Sequence, residues 1–419
     1  MDKEIQVQDK EAYSYRDLKD QKQYLKLIGA NVVNRLGDSL DAIAFSWIIY
    51  EITSSASLMA LIIAINYIPT IVQQPIAGVI VDSIPKKRVM VLTDIGRGVI
   101  VALVALLYMN DSVTPLILAL CTFLNSTLEA FRIPAGLAIV PKLLDRDKYT
   151  IGSALNSTLS RICEIIGLAS AGAVIALIGS HGALLIDAGT FFISSIIITT
   201  IRADEQPKQK KIGTVSIFHQ FTDGLRFVKA NPLLVAMLLL GMFMNFGMVP
   251  MSALGTAYIV DDLKGGPGVL SAFQVALVSG MALGSFVTPK LRTISKKRLF
   301  IFCGFASSVL MSQFILLPLI DTMILRIIAF VGVMGITGIF VGIQNVVFSA
   351  AFMRHVDQSV LGRVGGITNA TLSAAMPLGA LLCSAAAATM AVPTVFLVAG
   401  IFLVFLYIIM GSVKSLDAL

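Results

Sequence analysis

Soluble chemistry has little to work with in these 419 residues. Charged side chains make up only 14% of the chain, there is one tryptophan, and histidine occurs three times. His219 and His355 fall in polar connecting stretches and carry no ligand pattern. The four cysteines, Cys121, Cys163, Cys303 and Cys383, lie inside apolar stretches without metal-type spacing. Disulfides and zinc are therefore not expected, and these thiols read as small packing residues. No G-x-x-x-x-G-K-[ST] phosphate loop occurs, which removes the obvious means of spending ATP. The first 23 residues are polar and charged, so they do not have the shape of a signal peptide.

What the chain has instead is apolar length. Hydrophobic residues make up 56% of it, and the mean hydropathy is +0.86. A helix crosses about 30 Å of hydrocarbon with about 20 apolar residues. Windows of that length fall at 25–50, 57–81, 89–109, 114–140, 150–178 and 183–201. A second set falls at 232–259, 268–289, 299–318, 322–348, 364–389 and 393–412. The expected fold is an all-α membrane protein of twelve transmembrane helices in two pseudo-symmetric six-helix bundles. Its parts are a tail at 1–23, a first bundle at 24–201, a linker at 202–231, a second bundle at 232–413 and a tail at 414–419. The expected partners of such a chain are the lipid bilayer, a small-molecule substrate and protons, and a monomer is expected.

Loop charge gives the orientation. Lys86, Lys87, Arg88, Lys142, Arg146, Lys148, Arg202, Lys290, Lys296, Lys297, Arg298 and Arg354 gather on one side. Glu51, Asp111, Asp261, Asp262 and Asp321 gather on the other, with Lys264. Basic loops stay in the cytoplasm, so both termini are expected there, in the cytoplasmic membrane. The net charge of +7 is a consequence of that topology and needs no nucleic-acid partner. Within the linker, Ile217, Phe218, Phe221, Leu225 and Val228 recur at helical spacing and predict an amphipathic helix on the membrane surface.

The halves echo each other. Asn156-Ser157-Thr158-Leu159-Ser160 opens the fifth span, and Asn369-Ala370-Thr371-Leu372-Ser373 opens the eleventh. Duplicated halves around a central site are the build of an alternating-access carrier. In that alignment Arg161 meets Ala374 and Glu164 meets Pro377, so the polar chemistry is concentrated in the first half.

An intramembrane charge costs at least about 2.5 kcal/mol and needs a reason. In the first span Asn34, Asp38 and Asp41 share a helical face, and Arg35 can pair with Asp38 three residues on. Arg161 and Glu164 have the same spacing. These pairs can be structural as well as functional. One arginine for two aspartates leaves a carboxylate short of a partner, so Asp41 or Asp38, and after them Glu164, are the candidate proton carriers. Asn34, Arg35, Trp47, Asn66, Tyr67, Gln74 and Arg161 are candidate substrate contacts. Asn245, Gln274, Gln344 and Asn345 are their counterparts in the second half, although helix–helix hydrogen bonding explains any one of them equally well. Pro69, Pro75 and Pro250 predict breaks in the second and seventh spans. Asp187, near His181 at the start of the sixth span, reads as an interface residue just inside the outer mouth.

Between the second and third spans stands Gly78-Val79-Ile80-Val81-Asp82-Ser83-Ile84-Pro85-Lys86-Lys87-Arg88. A Gly and an Asp four residues apart, followed by a basic cluster, resemble the signature of the major facilitator superfamily. Ser83 and Pro85 depart from the usual arginine and glycine. Further stretches resemble its drug:proton antiporter branch, which contains macrolide efflux proteins and the enterobactin exporter. They are Leu36-Gly37-Asp38, Trp47 with Thr53-Ser54-Ser55-Ala56, Asp94-Ile95-Gly96-Arg97, Ala130-Phe131-Arg132-Ile133-Pro134-Ala135, Asp187-Ala188-Gly189-Thr190-Phe191 and Leu361-Gly362-Arg363. In the fifth span Leu168 follows Gly167, where the branch has proline.

The resemblance implies a proton-driven exporter of a small molecule with no bound cofactor. The exported compound would be drug-like or macrolide-type; an anionic metabolite such as a carboxylate siderophore is the alternative, and a membrane scaffold without transport is a third class. Gly78, Asp82, Lys86, Lys87 and Arg88, with Asp94, Arg97, Glu129 and Arg132, would form the inner gate near the basic loop.

Overall fold

The computed structural model describes residues 15–203, 226, 229, 231–291, 293–356, 361–414 and 416. Eleven long α-helices account for most of them. They are α1 (Lys22–Thr53), α2 (Ala56–Ser83), α3 (Lys86–Met109), α4 (Pro115–Ile139) and α5 (Tyr149–Thr199). After the linker come α6 (Pro232–Asp261), α7 (Pro267–Val287), α8 (Lys296–Ser312), α9 (Met323–His355), α10 (Leu361–Ala387) and α11 (Val392–Gly411). The predicted amphipathic linker helix lies outside the described residues.

Eleven long helical elements stand among the described residues where twelve spans were expected. The predicted fifth and sixth spans form one element of 51 residues, interrupted only at Gly179, whose φ of 75° and ψ of 169° are non-helical. A side chain there would be strained, because this left-hand side of backbone space suits glycine. Nine stretches among the described residues are long and apolar enough to cross a membrane. Helix α1 carries Arg35, Asp38 and Asp41 within its apolar length, and Thr371–Ala387 of α10 is a further, shorter apolar stretch. The result is an all-α, multi-span membrane protein.

Local chemistry sets the ends of these helices. The Ser55 hydroxyl accepts from Leu58 N–H at the start of α2, and Thr114 does the same for α4. Such caps satisfy backbone donors that the helix leaves unpaired. Asn231 caps α6 through Leu233 and Leu234 N–H. The predicted breaks at Pro69, Pro75 and Pro250 are not seen, since α2 and α6 run helical through all three. Membrane helices tolerate proline where neighbouring helices satisfy the freed carbonyls.

Helices approach closely where side chains are small. Gly280 and Gly284 of α7 lie against the backbone of α9 at Gly335, Gly338 and Ile339. Small residues let backbones meet in lipid, where packing rather than water drives association.

The apolar core is divided unevenly along the membrane normal. At the end bearing the acidic loops, one cluster is shared by both sets of helices. It joins Ile43, Ile48, Leu168 and Phe191 to Leu254, Tyr258, Phe273 and Phe396. At the basic end the core splits. One cluster holds Tyr24, Leu27, Met90 and Ile198; a separate one holds Leu234, Met237, Phe300 and Val347. Polar contacts follow the same rule. The Tyr50 hydroxyl donates to Asp261 Oδ2, joining α1 to α6. Ser57 and Ser384 donate to each other's backbone carbonyl at 2.9 Å, joining α2 to α10. The two sets of helices are thus sealed at the acidic end and parted at the basic end.

Candidate functional site

Where the core splits, a cavity of about 420 Å³ opens among α1, α3, α4 and α5. Asn34, Arg35, Asp38, Arg97, Glu129, Arg132, Arg161 and Glu164 line it. Helical spacing puts them there, since Asn34 and Asp38 are one turn apart on the face of α1 that meets α3 and α5.

Of the two ion pairs expected along a helix, Arg161–Glu164 forms and Arg35–Asp38 does not. Asp38 does not pair with Arg35. Its Oδ1 accepts from Arg97 Nη2 at 3.1 Å, across from α3. Arg35 instead lies 3.2 Å from Glu164, which also accepts from Arg161 at 2.8 Å. The tertiary fold offers both groups better partners than their own helix does. The Arg35 and Arg161 side chains are 42% and 63% exposed, against 15% for Glu164. The mouth of the cavity therefore presents two guanidinium groups around one shielded carboxylate.

Deeper in, Asp94 is wholly buried and fully engaged. It accepts from Arg132 Nε at 2.8 Å, from Ser194 Oγ at 2.8 Å and from Asn34 Nδ2 at 3.3 Å. Arg132 in turn donates to Asn31, which donates to Asn156. This chain ties α1, α3, α4 and α5 together, and Asn156 is the first residue of the echoed motif. Arg97 also donates to Asn125 Oδ1 at 3.2 Å and lies 4.3 Å over the Phe191 ring. A cation over an aromatic face recovers some of the attraction lost on leaving water.

The placement of Arg97 beside the basic loop is corrected. It lies 11 residues into the 24-residue α3, about 16 Å along the axis, near mid-span. Asp187 is corrected too. It is fully buried rather than at an outer mouth, within electrostatic reach of Asp41, Asp38 and Arg97. Its approach to α1 is possible because Gly37 leaves room; a Cβ there would strike Thr190 Oγ1 and Asp187 Oδ1. Five carboxylates, Asp38, Asp41, Asp94, Glu129 and Asp187, thus surround Arg97 and Arg132. Asp41 Oδ1 and Asp187 Oδ2 are buried without a hydrogen-bond partner among the described residues.

Other expected site residues are placed elsewhere. Lys87 donates to the Thr199 and Ile201 carbonyls, favourably placed at the negative end of α5. Arg88 is exposed and Lys86 is half-buried at the start of α3. Gly78 has open space around it. The side chains of Asp82 and Gln74 lie outside the described ones. Trp47 and Tyr67 are half-buried and do not line the charged cavity. Asn66 lines a second, smaller chamber with Asp41.

In the second set of helices Gln344 is buried, donating to Phe300 O and the Tyr407 hydroxyl. Asn245 donates to Leu372 O, joining α6 to α10. Gln274 and Asn345 are half-buried and stand apart from the charged cavity. No cluster of metal-ligating side chains occurs among the described residues.

Comparison with known proteins gives a consistent picture. Residues 27–380 match the Major Facilitator Superfamily. The chain is 25% identical over 392 residues to Macrolide efflux protein A of Streptococcus pyogenes, covering 92% of this chain and 95% of that protein. It is 26% identical over 367 residues to Multidrug efflux pump Tap of Mycolicibacterium fortuitum, covering 85% and 87%. Among solved structures it is similar in fold to the nucleoside transporter NupG, with a TM-score of 0.74, 14% identity, and 94% and 100% of the two chains covered. It is also similar to a bacterial homologue of the iron transporter ferroportin in an inward-facing state, with a TM-score of 0.72, 15% identity, and 94% and 99% covered.

Proposed function

Because the chain belongs to the Major Facilitator Superfamily and is a secondary transporter rather than an enzyme, we propose that it exports a small drug-like or macrolide-type compound in exchange for protons. The single observation that carries this reading is the charged cavity opening where the apolar core is split. Taking the basic end as cytoplasmic, this is the inward-open state of an alternating-access carrier in the cytoplasmic membrane, with both termini inside. The two arms of α5, counted separately, complete two sets of six helices that rock about the acidic-end seal.

The chemistry follows from the pairing. With Asp38 ionised, Arg97 is held at 3.1 Å and the buried charge is compensated. A proton on Asp38 removes the charge that holds Arg97 and lets it turn toward the unpaired oxygens of Asp41 and Asp187. Asp38 and Asp41 are therefore the proton carriers in this reading. Glu164, held between two arginines, is the residue that a cationic substrate contests. The relatives named for macrolide and multidrug efflux support export of a lipophilic compound.

One observation favours an anionic metabolite such as a carboxylate siderophore. Arg35 and Arg161 outnumber Glu164 at the mouth and are the more exposed groups, and guanidinium binds carboxylate bidentately. Substitution separates the readings. Arg35→Gln or Arg161→Gln should abolish export of an anion yet spare resistance to a cationic drug, whereas Asp38→Asn should impair drug export more. Equal effects of all three on every substrate tested would sink the distinction. Mass spectrometry of extracts and spent medium from iron-starved deletion and complemented strains is the companion test; a chelator retained only in the deletion strain selects the siderophore.

A further inference from the structure

A second chamber lies deeper than the charged cavity and is lined by none of the residues at its mouth. It holds about 40 Å³, whereas a water-sized probe needs only about 10–15 Å³. Its polar wall is Asp41 from α1, Asn66 from α2, and Thr122 and Asn125 from α4; apolar side chains of α1, α3 and α5 close the rest. Two atoms here lack a partner among the described residues, Asp41 Oδ1 and Thr122 Oγ1, and Thr122 is only 4% exposed. Buried hydroxyl and carboxylate oxygens are seldom left without one. Asn125 Oδ1 already accepts from Arg97 Nε and keeps a second lone pair.

The local charge balance points to a cation. Asp41 faces Asp38 on its own helix, Arg97 from α3 and Glu129 from α4, and Asp187 from α5. Negative charge is in excess among these groups, because Arg97 is already paired with Asp38. We propose that this chamber binds one dehydrated alkali cation, sodium in preference to potassium, through Asp41, Asn66, Thr122 and Asn125. The donor set is a single carboxylate with three neutral oxygens around a space of about three waters' size. Calcium takes 6–8 oxygens, and magnesium keeps several waters; neither suits this chamber. Four oxygens complete most of the shell of the smaller alkali ion, whereas the larger potassium ion takes more donors. Protons and sodium compete for the same Asp41 oxygen, so the site adds a second ion to the proton-driven reading without depending on it.

Binding is measured on the purified full-length chain in detergent with radioactive sodium, choline holding ionic strength constant. Saturable binding of one ion is expected at pH 8, weaker at pH 5.5, displaced better by unlabelled sodium than by potassium. Asp41→Asn should abolish it, and Thr122→Val, nearly equal in shape, should weaken it about tenfold, or about 1.4 kcal/mol. Size-exclusion profiles identify any variant that fails to fold, and Thr122→Val carries the test if Asp41→Asn does. No saturable binding at pH 8, or binding unchanged in the folded variants, would overturn the proposal; better displacement by potassium would overturn the choice of sodium. No transport is needed for this assay, so a negative result leaves the exporter reading standing.

Discussion

Arg97 on α3 reaches Asp38 on α1 at 3.1 Å, and its guanidinium lies 4.3 Å over Phe191 of α5. Three helices thus meet on one buried cation. Removing one member of such a pair strands the other, which costs about 3–5 kcal/mol. Arg97→Leu should therefore lower the thermal midpoint markedly and abolish transport. Asp38→Asn keeps a hydrogen-bond acceptor and should fold, yet lose uptake driven by a pH gradient. Thermal melts and proteoliposome uptake, read side by side, check the contrast.

Two glycines should behave oppositely. Gly37 is packed against Thr190 and Asp187, and a side chain there has no room. Gly37→Val should reduce folded yield, since overpacking of a tight contact costs about 1–3 kcal/mol or more. Gly78 has nothing within 4 Å of an added Cβ, so Gly78→Ala should melt like the wild type. If Gly78 serves another conformation, as the signature it sits in implies, the same variant should still transport more slowly. Equal transport by Gly78→Ala and wild type would remove it from the gate.

The seal at the acidic end rests on few polar contacts. Tyr50 donates to Asp261, and Ser57 and Ser384 exchange hydrogen bonds. Tyr50→Phe deletes one contact worth about 1.5–3 kcal/mol to a charged acceptor. It should shift the population toward opening at that end. Modification of a cysteine introduced at Ser384 should then become faster, by thiol-reagent labelling in intact vesicles.

Asp262, just beyond α6, supplies a pH dependence. Burial first, and then neighbouring Asp261, push its carboxyl up from 3.8 to about 6, against the lowering influence of Lys264. The conformation that buries Asp262 therefore binds its proton more tightly than one that exposes it. Acidification through the window from about 6 toward 3.8 should favour the sealed acidic end, and above about 6, where the carboxyl is ionised in both conformations, the profile should be flat. Asp262→Asn should flatten that part of the profile, measured by the same labelling rates across pH.

Much of the architecture is legible in the sequence because lipid demands it. Apolar length marked most helix ends closely, although α8 stops at Ser312 where 318 was expected and α9 runs on to His355 where 348 was expected. The charged face of α1 was visible from the spacing of Asn34, Asp38 and Asp41. Partner choice was not legible. Local spacing paired Arg35 with Asp38, whereas the packing of α1 against α3 and α5 gives Arg97 to Asp38 and Glu164 to Arg35. Asp187 looked peripheral because its depth depends on Gly179, where α5 turns, and on the gap at Gly37. Asn31, Asn125 and Ser194 went unnoticed, since a single polar residue in an apolar run gives no signal until a charged partner faces it. The intramembrane carboxylates Asp94, Glu129 and Asp187 were the available clue.

The central claim is that the sealed and parted ends exchange roles. Spin labels at the exposed positions 88 and 298 report on the basic end, and labels at 111 and 322 on the acidic end. Double electron–electron resonance on wild type and Asp38→Asn, across pH in lipid nanodiscs, measures both distances. The account predicts reciprocal change, with the basic-end distance shortening as the acidic-end distance lengthens. Distances that stay fixed, or that move in the same sense at both ends, would contradict it.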